Sequence, residues 1–506
     1  MRKALIILIS LLFPVLGTAV AQTDDIELDV RKFTLDNGMT VLVLEKPAAP
    51  VFSAIIRFNT GSVDEQPGIT GISHLLEHMM FKGSKIMGTT DYEAEIPLMA
   101  RIDSLATLMF AEQVKLQNPL NPPDSGRYFE LREQIASVQA EQKKYVIKDE
   151  LWGTYLKNGG TRLNASTGND ATNYYVSLPK NKLELWAFME SDRMQNNIFR
   201  EFYSERDVVM EERRLGENNP RGRLIEAFNA TMFWASPYEW PVVGWMSDLL
   251  RISREDVEDY FRSHYTPANA VAAIVGDVRA DEVYELCKRY FGKIPSPPLP
   301  PPTMTVDAPQ EGERRVAVEY DANPIAYIGW LTPRIGHPDQ AALEVTANIL
   351  SMGRTSRFYK NIKEKKLGNV SASSSASRYP DAFFCSLTPM GDHTIAELEE
   401  AVYQEIERLK TEPVSGWELQ KVKNQTRASL IRSLDSNMGL AWRLSGSQGM
   451  TGDWGYFLES YRRINQVTAE DIMRVAGKYL TRRNRTVAYL VKTESEKPSA
   501  AAGKMY

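Results

Sequence analysis

A run of about 25 residues recurs without a gap at two places in this 506-residue chain, so the fold has to be one that can be built twice. The first copy reads SREDVEDYFRSHYTPANAVAAIVGD and the second TAEDIMRVAGKYLTRRNRTVAYLVKT. Ser253 matches Thr468, Glu255-Asp256 matches Glu470-Asp471, Thr266 matches Thr481 and Asn269 matches Asn484. Ser and Thr are helix N-caps, and an acid three positions on completes the cap, so each copy starts a helix that runs into an apolar strand, VAAIV or TVAYLV. The segments ahead of the copies also begin alike, with an apolar strand (Val51 to Phe58, then Ile325 to Leu331), a turn rich in Gly, Pro and Asp, and a helix. Between the halves, residues 295–309 hold seven prolines, which neither a helix interior nor a central strand tolerates, and read as a stiff linker. Strands mixed with long helices, without strict βαβ alternation, predict an α+β fold. Two homologous domains are expected, 27–294 and 310–495, each a mainly antiparallel sheet with helices packed on one face, followed by a tail at 496–506.

One stretch breaks the repeat. From about 92 to 151 the chain is charged and helix-prone, with Ile96, Met99, Ile102, Leu105 and Met109 at helical spacing. A Pro/Asn-rich turn from Asn118 to Pro123 follows, then Leu131, Ile135 and Val138. This predicts a helical hairpin inserted into the first domain, either a spacer or an arm that touches a partner or substrate.

Residues 1–21 begin with Arg2 and Lys3, continue as an apolar run and end in Ala19-Val20-Ala21, the pattern of a cleavable secretory leader. No later stretch is apolar for long enough to span a membrane. Lys plus Arg is 60 against 65 for Asp plus Glu, a net charge of −5 that offers no basic footprint for nucleic acid. Cys287 and Cys385 fall in different halves and read as two buried free thiols.

The chemistry concentrates in TGISHLLEHMMF, Thr70 to Phe81. At about 100° per residue, Ile72, Leu75, Leu76, Met79 and Met80 form one apolar stripe, and His74, Glu77 and His78 face the other way. Imidazoles four apart lie one turn apart and reach one metal ion, and imidazole nitrogen suits zinc. The chain has only five histidines, so two on one turn is a concentrated signal. A catalytic zinc takes three protein ligands. The best source of the third is SERDVVMEERR, Ser204 to Arg214, where Glu205 and Glu212 are two turns apart on one helical face. On composition alone Glu211 competes with Glu212.

HLLEH is the inverted zinc signature, and with ERDVVMEE the chain resembles the pitrilysin/insulinase family of metallopeptidases, nearest the subgroup with the mitochondrial processing peptidases. The likeness extends over NASTGNDATNYYVSLP and the two-half organisation. It implies one zinc per chain held by His74, His78 and Glu212, with Glu77 as general base and Glu205 as a supporting acid. The hairpin insertion accounts for a longer separation between the histidines and Glu212 than is usual in the family. The resemblance also implies that Asn164, Ala165, Ser166 and Thr167 belong to an edge strand, within Asn164 to Val176, that receives a peptide substrate by main-chain pairing.

The second half departs from the pattern. It has no zinc motif, and Asp339 to Leu350 reads as an ordinary amphipathic helix. Self-sufficient relatives carry an Arg and a Tyr here that hold the substrate; this chain has Lys363 and Asn369 at about those positions, and Arg378-Tyr379 come too late to replace them. The chain also resembles one half of the full-length clamshell members. Both observations predict a paralogous second subunit that closes the chamber and supplies the missing pair, with a homodimer as the alternative. The expected activity is a secreted, periplasmic zinc endopeptidase or oligopeptidase. Competing readings are a non-catalytic structural subunit of a peptidase-like complex and a maturation protease dedicated to one exported peptide.

Overall fold

The computed structural model describes residues 26–116, 125–303 and 305–493, so the expected leader, the tail and the turn from Asn118 to Pro123 lie outside the described residues. The first half runs β1 (Val30–Thr34), β2 (Thr40–Glu45), β3 (Val51–Phe58), α1 (Ile72–Met79), α2 (Tyr92–Leu116), α3 (Gly126–Gln142) and α4 (Glu150–Lys157). It continues with β4 (Thr161–Thr167), β5 (Thr172–Pro179), α5 (Leu183–Asn196), α6 (Phe202–Glu217), α7 (Pro220–Met232), α8 (Met246–Arg251), α9 (Arg254–His264), β6 (Ala270–Gly276) and α10 (Ala280–Tyr290). The second half comprises β7 (Arg314–Glu319), β8 (Ala326–Thr332), α11 (Gln340–Ser351), β9 (Gly368–Ser374) and β10 (Asp381–Pro389). It ends with α12 (Ile395–Thr411), α13 (Gly416–Asp435), α14 (Asn437–Thr451), α15 (Tyr456–Gln466), α16 (Ala469–Tyr479) and β11 (Arg485–Val491).

The sheets are ordered β1-β2-β6-β3-β5-β4 and β7-β11-β8-β10-β9. Without the extra edge strand β1 the two orders are the same, and each sheet has a single parallel pair in the same place, β2 with β6 and β7 with β11. The fold is α+β with mainly antiparallel sheets. The repeated residues make repeated bonds. Ser253 and Thr468 each cap a helix with the acid three positions on, Asp256 and Asp471. Asn269 Nδ2 donates to the His264 carbonyl and Asn484 Nδ2 to the Tyr479 carbonyl, both at 2.9 Å, which fixes the angle at which each helix hands over to its strand.

Helices of its own half cover one face of each sheet, as expected. In the first, Val41, Val43, Phe52, Ile56 and Ile274 pack under Leu75, Leu76, Trp186, Val257 and Val283. The opposite faces are not exposed, because each half covers the other. Leu42, Leu44, Ile55, Val271 and Val275 lie under Met438, Leu440, Ala441 and Leu444 of α14. In return Leu224, Phe228 and Met232 of α7 cover Tyr327, Ala488 and Leu490. Burying each such large side chain contributes about 1.5–3 kcal/mol, so this exchange of helices is a major adhesive between the halves. Gly329 in β8 makes room for it: a Cβ there would lie 2.4 Å from Phe228 Cζ.

Helices α2 and α3 pack against each other, joined at their base by Ile102, Ala106, Ile135 and Val138. Arg254 pins that base through Asp103 at 2.6 Å. Ile96 departs from the expected stripe and is 41% exposed, because the buried face of α2 runs through Glu95, Met99, Ile102 and Ala106 and Ile96 lies to one side of it. Asn164 to Val176 is a hairpin rather than one strand: 164–167 lie in the edge strand β4 and 172–176 in the internal strand β5. Cys287 and Cys385 are unpaired and buried in separate cores, and burial pushes the Cys287 thiol up to about 12. Among the described residues no helix is long and apolar enough to cross a membrane.

Candidate metal centre

Helix α1 is amphipathic in the sense its sequence predicts. Ile72, Leu75, Leu76 and Met79 are fully buried in the core, and Met80 just beyond is 1% exposed. The polar side of α1 faces α6 and β4 rather than open solvent, and the His74 and His78 side chains are each 19% exposed. Their rings stand edge to face with centroids 4.8 Å apart.

Helix α6 brings the third group. Val209 seats it on the core, and Glu212, one turn on, points at the imidazoles. Glu212 Oε2 lies 3.7 Å from His74 Nε2 and 3.8 Å from His78 Nε2. One ligand atom from each of the three residues falls within a 4.8 Å span, the only such group of His, Cys, Asp or Glu among the described residues. Two imidazole nitrogens and one carboxylate oxygen at that spacing suit a divalent ion with ligand bonds of about 2.0–2.2 Å. The two neighbouring acids separate here: Glu211 turns outward to Arg214 at 3.0 Å, leaving Glu212 facing the histidines.

Within the cluster His78 has a partner behind it, whereas His74 Nδ1 is buried with no hydrogen-bond partner among the described residues. Glu205 Oε1 lies 3.0 Å from His78 Nδ1, which leaves Nε2 as the nitrogen aimed at Glu212. The other oxygen of Glu205 pairs with Lys82 Nζ at 2.5 Å. Burial would raise the Glu205 carboxyl, but the bonds from His78 and Lys82 outweigh it and hold it below the usual value. Burial alone disfavours a charged His78, yet the bond to Glu205 and the neighbouring carboxylates outweigh it, so its affinity for a proton is raised. His74 is different. Burial, then repulsion from His78, depresses it to about 4, which keeps it neutral and available as a ligand near neutral pH. Glu77 does not share the three-residue cluster. It points to β4, where the Thr167 hydroxyl donates to Glu77 Oε2 at 2.5 Å, and burial raises its carboxyl above the usual range.

Asn164, Ala165, Ser166 and Thr167 all lie on β4, whose one strand partner is β5 and whose other edge has no strand among the described residues. Lys363 and Asn369 are in the second half, where they line a cavity of about 430 Å³ beside the edge strand β9 together with Arg354 and Ser371. Sequence reasoning missed Lys82 and read Thr167 only as part of the substrate strand, not as a partner of Glu77. Lys82 carries no local pattern, and the bond from Thr167 to Glu77 joins residues 90 apart in the chain.

Comparison with known proteins adds to this geometry. Residues 40–106 match the family described as insulinase (peptidase family M16), and residues 251–426 match the peptidase M16 inactive domain. A zinc protease of Helicobacter pylori, PqqE, is 25% identical over 468 residues, covering 90% of this chain and 91% of that protein. A probable mitochondrial-processing peptidase subunit beta of Arabidopsis thaliana is 24% identical over 467 residues, covering 89% of this chain and 76% of that one. Among solved structures, a protease from Helicobacter pylori superposes with a TM-score of 0.77 at 23% identity, covering 92% of this chain and all of that one. The periplasmic protease PqqL from Escherichia coli superposes with a TM-score of 0.67 at 17% identity, covering 92% of this chain but 48% of that one.

Proposed function

Because the chain belongs to the insulinase family of peptidases, family M16, we propose that it is a zinc-dependent peptidase whose ion is held by His74, His78 and Glu212. The observation that carries the reading is the convergence of those three side chains from α1 and α6, with Glu77 directed to the neighbouring strand. Zinc, when bound, supplies Lewis acidity toward a scissile carbonyl and acidifies the attacking water. Glu77 takes the proton of that water and passes it to the leaving amine. Its raised proton affinity suits a general base that must also return the proton. Thr167, by donating to one oxygen of Glu77, fixes the carboxylate plane and leaves the other oxygen for the proton transfer. Glu205 orients His78 and is itself kept ionised by Lys82. The free edge of β4 accepts an extended peptide by main-chain pairing, which gives affinity with loose side-chain selectivity.

The enzyme works as one half of a two-chain clamshell. PqqL carries about twice this length in one chain, and Lys363 and Asn369 stand where the second half would need its Arg and Tyr. A paralogous subunit supplies that pair, and the leader places the assembly in the periplasm. Glu77→Gln tests the core of the reading: zinc content stays at one per chain while peptide hydrolysis falls about 10²–10⁴-fold. Full hydrolysis by that variant, or a wild-type chain that binds no zinc, overturns it.

A further inference from the structure

We infer that Arg378, supplied by the second half, is a positioning residue for the peptidase centre of the first half; the inference rests on the zinc-peptidase reading of that centre. Arg378 lies between β9 and β10, yet its bonds are made across the divide. Its guanidinium donates to Asp64 Oδ1 at 2.8 Å, to the Asn59 carbonyl at 2.9 Å and to the Asp170 carbonyl. Its own main-chain N–H donates to Asp170 Oδ2 at 3.0 Å. Tyr379 continues the clasp, its N–H donating to Tyr238 Oη, and that hydroxyl donates to the other oxygen of Asp170 at 2.8 Å.

Two routes lead from this clasp to the reacting groups. Asp64 closes the short helical turn Ser62–Asp64, and the next residue is Glu65. The buried Glu65 carboxylate accepts from the N–H groups of Gly71 at 2.7 Å and Ser73 at 2.9 Å, so it holds the start of α1 one residue before His74. Asp170 sits in the turn that joins β4 to β5, and the last residue of β4 is Thr167, whose hydroxyl fixes Glu77. The routes are also tied to each other. Ser62 N–H donates to the Gly168 carbonyl at 3.2 Å and Val63 N–H to the Asn169 carbonyl at 3.0 Å. The approach is so close that a Cβ on Gly61 would lie 2.3 Å from the Gly168 oxygen. One forked cation thus grips both segments that aim His74 and Glu77. A lysine, with a single point charge, cannot bind the carboxylate and the two carbonyls in that plane.

The test uses the full chain, with Arg378→Ala, Arg378→Lys and, as a control, Arg314→Ala. Arg314 crosses the same divide but donates to the Thr231 and Met232 carbonyls at the far end of α7. In Arg378→Ala, amide exchange across 61–73 and 167–172 is expected to accelerate about ten-fold or more, because those segments lose their common anchor. Zinc affinity, read by competition with a chromophoric chelator, and kcat on a quenched fluorescent peptide are expected to fall on the order of 10–100-fold, with KM held within about two-fold. Millimolar guanidinium is expected to restore part of the loss, Arg378→Lys to recover little, and Arg314→Ala to change none of these readouts. Wild-type exchange and zinc affinity in Arg378→Ala overturn the inference, as do equal losses in Arg314→Ala. A wild-type chain without zinc affinity instead defeats the reading of the centre, and the exchange comparison still decides the role of Arg378.

Discussion

Helix α1 and helix α11 follow equivalent strands, β3 and β8, of the two sheets, and each packs against the equivalent neighbours: α1 on β4 and α9, α11 on β9 and α16. On α1 the side turned from the core carries His74, Glu77 and His78. On α11 seven of the twelve residues are buried and apolar, from Ala341, Ala342 and Leu343 to Ile349 and Leu350, and the helix has no histidine. Their N-termini differ as well. Glu65 holds the start of α1 without a cation at hand, and burial, against the pull of the Gly71 and Ser73 N–H groups, pushes it up to about 8. Asp339 at the start of α11 is pressed the other way: the bonds from Tyr479, Lys478 and Arg474 outweigh its desolvation and hold it well below the usual carboxylate range. One backbone plan therefore carries a histidine-bearing, electrostatically costly helix in one half and an apolar one with a neutralised start in the other. The centre depends on side chains placed on the plan, not on the plan itself.

The sharpest way to break this contrast is to remove a carboxylate from each half. Glu212→Gln is expected to abolish stoichiometric zinc and to lower hydrolysis on the order of 10³-fold, since the third proposed ligand to the Lewis acid is lost. Glu344→Gln, on α11, is expected to leave both unchanged; a comparable loss there, by metal analysis and peptide assay, would erase the distinction. The pH response separates the halves next. Glu65 has a folded value above its unfolded value of about 4.5, so the stability tied to it is whole below that pH and is lost as pH rises through about 8. Asp339 has a folded value below its unfolded one of about 3.8, so its contribution is whole above that pH and is lost as pH falls below it. Amide protection factors are expected to drop first around residues 65–75 on going to pH 9, and first around 339–343 and 474–479 on going to pH 3. The reverse order would show that the two N-termini are not opposed.

Smaller effects probe what the halves share. Gly329→Ala pushes a methyl into Phe228 and Met232 and is expected to cost about 1–3 kcal/mol in urea unfolding, through loss of the α7 cover. The mildest pair is Ser253→Ala and Thr468→Ala, expected to cost about 1 kcal/mol each, because the two caps make the same bonds at equivalent helices. Unequal costs would mean that the repeat has diverged in energy while keeping its shape.

The sequence exposes what is written locally. The faces of α1 follow from a 3.6-residue period, and the paired caps at Ser253 and Thr468 follow from residue type and spacing. Glu212 could not be told from Glu211 by pattern, because adjacent acids differ only in which way the helix turns them; with Val209 on the core and Arg214 beside Glu211, it is Glu212 that faces the histidines. The clasp at Arg378 and the exchange of α7 and α14 were illegible for one reason: each joins surfaces over 90 residues apart, and nothing in a local window records what will cover an amphipathic helix. Ile96 shows the converse error, where an apolar position at helical spacing lies beside the buried face, which Glu95 occupies instead, and stays wet.

The borrowed roof over the first sheet sets a timetable for biosynthesis. When β6 leaves the ribosome the sheet can already assemble, yet Leu42, Ile55, Val271 and Val275 must wait for α14, made roughly 10–30 s later at ordinary translation rates of 5–20 residues per second. Throughout that interval a sticky β surface stands open to any passing chain. Until its last helices arrive, the first sheet of a newly made chain has one apolar face uncovered.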